Sequence, residues 1–227
     1  MKIVITGASK GIGKYLFDTF KNEGYCVIGT YNSTFQEHEE GYYKVNVADE
    51  NSVASFVNGV TGNDDKFVLI NCAGISYNSF AHKADFNAWK RVIDINLVGT
   101  FNVIHRFLPL MRNANYGRIV NFSSVVSKYP TPGVSAYAAS KAAINGLTKS
   151  LSIENASKGI TVNSINLGYT NAGMGNNEVP ESYRQKITEK IPMNRFCEPI
   201  EIYKTIKYII ETEYLNGACI DLNGGLI

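Results

Sequence analysis

No stretch of the chain approaches the ~20 consecutive apolar residues that cross a bilayer. The opening Met1-Lys2 runs directly into Ile3-Val4-Ile5-Thr6-Gly7, too short an apolar core for a secretory leader. A membrane partner is therefore not expected, and a cytoplasmic location is. Charge of one sign is also missing: 22 basic side chains stand against 20 acidic ones, a formal net charge of +2. That field is too weak to draw nucleic acid or a lipid surface, so any anionic ligand must be met by a local site. The four cysteines, Cys26, Cys72, Cys197 and Cys219, contain no C-x-x-C pair, which argues against a zinc site or redox dithiol and for reduced thiols. His38, His82 and His105 lack metal-ligand spacing, so no metal is expected. Neither a linker nor a repeat nor a low-complexity segment interrupts the sequence.

What the 227 residues do contain, 44% of them hydrophobic, is enough apolar side chain for one sizeable core, and a single domain spanning 1–227 is expected. Short β-branched runs recur at Lys2–Thr6, Tyr25–Thr30, Tyr42–Val47, Phe67–Asn71, Arg118–Phe122, Thr161–Ile165 and Ala218–Asp221. Between them, helical spacing covers Gly13–Glu23, Asn51–Val60, Phe86–Met111, Ala136–Asn155 and Glu198–Thr212. The alternation predicts an α/β fold, a Rossmann-type doubly wound parallel sheet of about seven strands with helices on both faces. The segment 170–193, with Gly173, Gly175, Asn176, Asn177 and Pro180, breaks the rhythm after the sixth strand. It reads as a substrate lid over the carboxyl edge or as an ordinary surface loop.

Thr6-Gly7-Ala8-Ser9-Lys10-Gly11-Ile12-Gly13 joins the first strand to the first helix. Its glycines permit a tight turn and close approach of a pyrophosphate to a helix N-terminus. The spacing is G-x-x-x-G-x-G rather than the commoner G-x-G-x-x-G, and glycines also serve plain strand-to-helix turns. An NAD site usually places an acid at the end of the second strand; here that end reads Thr30-Tyr31-Asn32-Ser33. With no acid to repel a 2′-phosphate, Lys10 as a point charge and Thr30, Asn32 and Ser33 as hydrogen-bond donors point to NADP(H). The alternative for Lys10 is a solvated loop lysine.

Tyr137 and Lys141 lie four residues apart in a helical stretch and project from one face. A nearby ammonium favours phenolate over phenol and brings a tyrosine into working range as a proton donor. The spacing alone is weak: Tyr203 and Lys207 repeat it, where it reads as a helix-surface pair. What singles out Tyr137 is the upstream strand ending in Ser123-Ser124. Ser124 can hydrogen-bond a substrate carbonyl oxygen and stabilise charge growing there, unless the serines simply cap the chain as it leaves the sheet.

Together with Asn71-Cys72-Ala73-Gly74, Asn96 and the ending Asn216–Gly225, these motifs resemble the short-chain dehydrogenase/reductase family along the whole chain. The Arg195-Phe196-Cys197-Glu198-Pro199 turn resembles its 3-oxoacyl-acyl-carrier-protein reductase branch. The resemblance implies that Ser124 polarises a carbonyl, Tyr137 donates the proton, Lys141 lowers the tyrosine pKa and holds the nicotinamide ribose, and Asn96 holds a relay water. It further implies that Gly7, Ser9, Gly11, Ile12 and Gly13 cradle the pyrophosphate and that Asn71, Ala73 and Gly74 line the adenosine ribose. Asn46 and Val47 would meet the adenine, and Gly168 and Thr170 would lie beside the nicotinamide. The chain departs from the pattern at Leu167, where proline is usual, at Ala172, where threonine is usual, at Asn46 in place of aspartate, and at Cys72, read as a packing residue.

A carbonyl reductase acting on a 3-oxoacyl thioester is thus expected. A keto-sugar or polyol reductase, suggested by polar Asn171, Asn176, Asn177 and Glu178, and a non-catalytic NADPH-binding sensor or scaffold remain open alternatives. A carrier-protein substrate would need basic residues beside the cleft, for which Lys128, Lys158 and Arg112 are candidates. The family's habit of assembly implies a homo-oligomer, tetramer or dimer. Phe101, Val103, Phe107, Leu110, Ala143, Leu147 and Leu151 would supply an apolar interface, unless they merely cover the sheet.

Overall fold

The computed structural model describes residues 1–33, 40–62, 66–173 and 181–227. Seven parallel strands form one sheet in the order β3-β2-β1-β4-β5-β6-β7: β1 (Lys2–Thr6), β2 (Cys26–Tyr31), β3 (Tyr42–Lys44), β4 (Phe67–Asn71), β5 (Gly117–Ser124), β6 (Ile160–Leu167) and β7 (Cys219–Leu222). The helices are α1 (Gly11–Asn22), α2 (Glu50–Val60), α3 (Phe86–Ile93), α4 (Gly99–Ala114), α5 (Ser135–Asn155), α6 (Glu181–Thr188) and α7 (Pro199–Glu211). The chain winds outward from β1 in both directions. The carboxyl ends of β1 and β4, where Thr6 pairs with Asn71, are therefore the switch point at which such sheets bind ligands.

Side-chain alternation in β1 shows how both faces are covered. Ile3 and Ile5 pack with Leu16, Phe17 and Phe20 of α1 and Ile202, Ile206 and Ile209 of α7, while Val4 packs with Phe56 of α2, Ile104 and Phe107 of α4 and Leu151 of α5. Local chemistry sets the helix starts. Asp49 caps α2 by accepting from the Asn51 and Ser52 N–H groups, Asp85 caps α3 through Ala88 N–H, and Glu198 and Glu201 form a capping box around Pro199 on α7.

Several expectations need correcting. The single helix expected over Phe86–Met111 is α3 and α4 joined by a π turn at Asp94–Val98, which inserts an extra residue in the hydrogen-bond ladder that apolar periodicity does not reveal. Val103, Phe107 and Leu151 are buried against the sheet, so they are core and not an interface. Tyr203 is buried too, packing edge-on to Phe20, because α7 turns that side of itself toward α1. The third strand ends at Lys44 rather than Val47. Of the expected lid, Glu181–Thr188 is helical, and 174–180, including Gly175, Asn176, Asn177 and Glu178, lie outside the described residues, as does His38. Among the described residues no helix is long and apolar enough to cross a membrane.

Candidate active site

The glycine turn sits at the switch point and is built by close backbone packing. Gly7 has φ +67, and a Cβ there would lie 2.8 Å from the Ala73 Cα; a Cβ on Gly13 would lie 2.2 Å from the Gly7 carbonyl oxygen. The buried Thr6 hydroxyl accepts the N–H groups of Cys72 and Ala73, both at 3.1 Å, tying the ends of β1 and β4 together. Lys10 is exposed and stands at the N-cap of α1 without a side-chain cap bond. Lys10 thus leaves the first-turn N–H groups at Gly11 and Ile12 without a capping side chain, and no acid occupies that turn, as an anion site requires. Ser9 is partly accessible in the same turn, and Asn32 and Ser33 are exposed at the end of β2. Thr30 is different: it is 1% exposed, and its Oγ1 accepts the Gly7 N–H at 3.4 Å while its carbonyl accepts Ala8 N–H at 2.7 Å. Its hydroxyl supports the glycine turn, so it is withdrawn as a phosphate donor.

Asn46 is exposed, and its Oδ1 accepts the Ala48 N–H at 3.2 Å. Val47 is buried beneath α4, where a Cβ on Gly99 would lie 2.7 Å from its Cγ2. Asn71 donates to Asn121 Oδ1 at 2.9 Å, and its own Oδ1 is buried with no hydrogen-bond partner. Gly168 leaves β6 with its N–H on the Leu222 carbonyl. Thr170 is buried and donates to the Ala172 carbonyl at 2.9 Å, so its hydroxyl proton is held by the chain and its oxygen can only accept. Burial pushes the Cys72 thiol up to about 12, which keeps it neutral and suits a packing residue.

The residues expected to do chemistry meet at the carboxyl ends of β4 and β5. Successive side chains of a strand face opposite ways, and this separates the two serines. Ser123 donates to the Lys141 carbonyl at 2.9 Å and fastens α5 to the sheet, while Ser124 closes β5 with its Oγ accepting the Val126 N–H at 3.4 Å. Tyr137 lies on the first turn of α5 and is partly accessible. The Lys141 ammonium is 5.5 Å from its ring centroid and donates to the Phe122 carbonyl at 2.7 Å. Lys141 is 5% exposed, and burial lowers its pKa to about 8.

Asn96 is buried in the π turn. Its Oδ1 accepts Ile75 N–H at 2.9 Å, and its Nδ2 donates to the Ile75 carbonyl at 2.9 Å and to Ser140 Oγ at 3.1 Å. Both amide protons are thereby committed to the chain. A Cβ on Gly74 would lie 3.2 Å from Asn96 Oδ1 and 3.7 Å from Lys141 Nζ, so that glycine keeps open the space between them. Ser140, which also donates to the Tyr137 carbonyl at 2.8 Å, and Thr6 were not singled out from the sequence. A signal existed for the first: Ser140, Lys141, Ile144, Thr148 and Ser152 form a partly polar stripe on the buried face of α5, unusual enough in a helix packed on a core to mark a site.

The basic residues proposed to receive a carrier protein are dispersed. Arg112 lies in the last turn of α4 and donates to Asn155 Oδ1 at 2.8 Å, and Lys158 lies two residues before the start of β6. Both are therefore at the amino edge of the sheet, away from Ser124 and Tyr137. Lys128 stands near the carboxyl edge in an ion pair with Asp221.

A family model described as short chain dehydrogenase matches residues 1–182. A 3-oxoacyl-(acyl-carrier-protein) reductase of Thermotoga maritima is 35% identical over 99% of this chain and 96% of its own. Among solved structures, the ligand-free aldohexose dehydrogenase of Thermoplasma acidophilum superposes with a TM-score of 0.90 at 26% identity, covering 99% of this chain and 93% of its own. A structure described as ElxO with NADP bound has the same TM-score and identity, over 99% and 98%.

Proposed function

The chain belongs to the short-chain dehydrogenase family, and we propose that it is a cytoplasmic, NADPH-dependent carbonyl reductase, working on 3-oxoacyl thioesters. One observation carries the chemistry: a buried ammonium, Lys141, lies against the ring of Tyr137 with a carbonyl rather than a carboxylate as its hydrogen-bond acceptor.

NADPH fits the uncapped first turn of α1 and the acid-free end of β2, with Lys10, Asn32 and Ser33 toward its 2′-phosphate; when bound it supplies the hydride. The protein's own part is proton and charge management. Ser124 donates to the substrate carbonyl oxygen and stabilises the negative charge that grows there. Tyr137 gives that oxygen its proton, made acidic by the Lys141 charge. Asn96 and Ser140 keep the strand exit at Ile75 and the first turn of α5 in register, and the gap beside Gly74 admits a water between Asn96 Oδ1 and Lys141 that returns a proton toward Tyr137. In the same reading the chain is one domain with its lid at 170–193. It assembles as a homo-oligomer through the outer faces of α4 and α5, where Phe101 and Ile153 are exposed.

The thioester substrate follows the likeness to the Thermotoga reductase. A hydroxylated carbonyl is the second reading, favoured by the likeness to an aldohexose dehydrogenase. Purified protein should oxidise NADPH, and not NADH, with an acetoacetyl thioester, and Lys10→Ala should weaken NADPH about tenfold while leaving NADH unchanged. Turnover on keto-sugars alone would move the substrate to the second reading. Tight NADPH binding with no turnover on any carbonyl would defeat the enzyme assignment and leave a sensor.

A further inference from the structure

The catalytic set is split between two elements, with Ser124 at the end of β5 and Tyr137 on α5, and the chain between them passes through a 3-10 turn, Val125–Ser127. A continuous chain of polar side chains joins that turn to the helix. Asn145, two turns beyond Tyr137 on α5, donates to Ser127 Oγ at 3.0 Å and to Asn166 Oδ1 at 2.8 Å, and accepts Ser164 Oγ at 2.8 Å. Asn166, wholly buried on β6, donates to Asp221 Oδ1 on β7 at 2.8 Å. Lys128, directly after the turn, closes the circuit on both Asp221 oxygens at 2.8 and 2.6 Å.

We propose that this chain is a positioning device for the reductase chemistry inferred above, in which Asn145 holds the turn bearing Ser124 at a fixed distance from Tyr137 and Asp221 fixes the direction of every hydrogen bond. A carboxylate only accepts. Asp221 therefore holds the Asn166 amide nitrogen toward itself and the Asn166 oxygen toward Asn145. Asn145 must then present its own nitrogen, and its oxygen is left for Ser164. One charge at the rim orients two amides inside the protein, and the reach of the set is from β7 to the catalytic serine. Ser124 and Tyr137 are the groups that touch substrate and Lys141 acts on Tyr137; Asn145, Asn166 and Asp221 act through them.

Direction can be tested by reversing it. Asn145→Asp has the same shape but can no longer donate to Asn166, and if Asn166 turns over its oxygen faces Asp221. We expect kcat to fall at least about tenfold, as small misplacements of reacting groups do, with the KM for NADPH unchanged and faster amide exchange across 123–129. Adding Asp221→Asn lets Asn166 turn over and the chain re-form in the opposite sense. The double variant should recover both readouts to within about threefold of the parent, a coupling that independent sites do not show. The double variant keeps the new carboxylate at 145, so a loss caused only by burying that charge would persist in it; parental kcat and exchange in Asn145→Asp would overturn the proposal, and so would a double variant as impaired as the single. Amide exchange needs no substrate. If the parent protein reduced no carbonyl, the function proposed above would fail while exchange still decided the positioning role.

Discussion

Two Tyr-x-x-x-Lys pairs occur in this chain, and they differ in almost nothing but surroundings. The ammonium lies 5.5 Å from the ring centroid in Tyr137 and Lys141 and 5.8 Å in Tyr203 and Lys207. In the second pair Lys207 meets Glu23 at 2.8 Å, a hydrogen bond that raises its pKa above the usual lysine range. Burial, and after it Glu23, pushes the Tyr203 phenol up to about 12. That cation is answered by a carboxylate, and the pair fastens α7 to the end of α1. Lys141 is instead enclosed, hydrogen-bonded to a neutral carbonyl and brought down to about 8 by desolvation. Its charge is therefore left for Tyr137 and for whatever anion develops beside it. Spacing places an ammonium at a phenol in both pairs; what differs is the partner of that ammonium, a carboxylate for Lys207 and a neutral carbonyl for Lys141, and on the proposed function this is what lets the Tyr137 phenol serve as a proton donor.

The sharpest way to break this comparison is to remove each hydroxyl in turn. Tyr137→Phe should lower turnover by about 10²–10⁴, the range of a lost general acid, with NADPH binding retained, whereas Tyr203→Phe should leave turnover unchanged. Equal losses in NADPH oxidation would mean that the two pairs are not functionally distinct.

Removing each ammonium comes next. Lys141→Met should cost about 10² in turnover, yet the melting temperature at pH 7 should not fall. Relieving a buried charge held about 2.5 pKa units below its usual value recovers about 3 kcal/mol, which offsets the unpaired Phe122 carbonyl at its cost of about 1–3 kcal/mol. Lys207→Met should do the reverse: full turnover, and a small loss of melting temperature that shrinks as salt screens the ion pair in the parent protein. Thermal unfolding of both variants at two salt concentrations, beside the activity assay, separates the cases.

These contrasts also mark what the sequence made legible. Parallel strands buried on both faces read as plain apolar runs, so β1 and β4 have the expected ends and β2, β5, β6 and β7 are displaced by one or two residues. The position of Ser124 at a strand end and of Tyr137 and Lys141 at a helix start was legible, because local sequence sets both. What was not legible depends on packing between elements distant in sequence. Nothing local in Tyr203 says that α7 buries it against Phe20, and nothing in Thr30 says that its hydroxyl turns toward Gly7 and away from solvent. The π turn at Asn96 escaped because an inserted residue leaves the apolar pattern of α3 and α4 almost undisturbed. Asn145 and Asn166 read as ordinary polar residues until β6 and β7 bring Asp221 beside them.

The smallest and most discriminating effect is in pH. The folded pKa of Lys141 lies at about 8, below its unfolded value of about 10.4. Across that window the unfolded chain holds the proton that the folded one has released, so this group makes stability rise with pH, by up to about 3 kcal/mol. Lys207 is shifted the other way: its stabilising contribution is whole below the unfolded lysine pKa and is lost as pH climbs through the raised folded value. Urea unfolding between pH 8 and 10.5 should therefore show the parent gaining stability relative to Lys141→Met, while its advantage over Lys207→Met holds steady until the top of the range. Carbonyl reduction should decline over the lower part of the same window, because a neutral Lys141 no longer acidifies Tyr137. If stability rose while reduction stayed level past pH 9, the Lys141 charge would be an incidental cost of burial, and the distinction between the two pairs would have to rest on Ser124 alone.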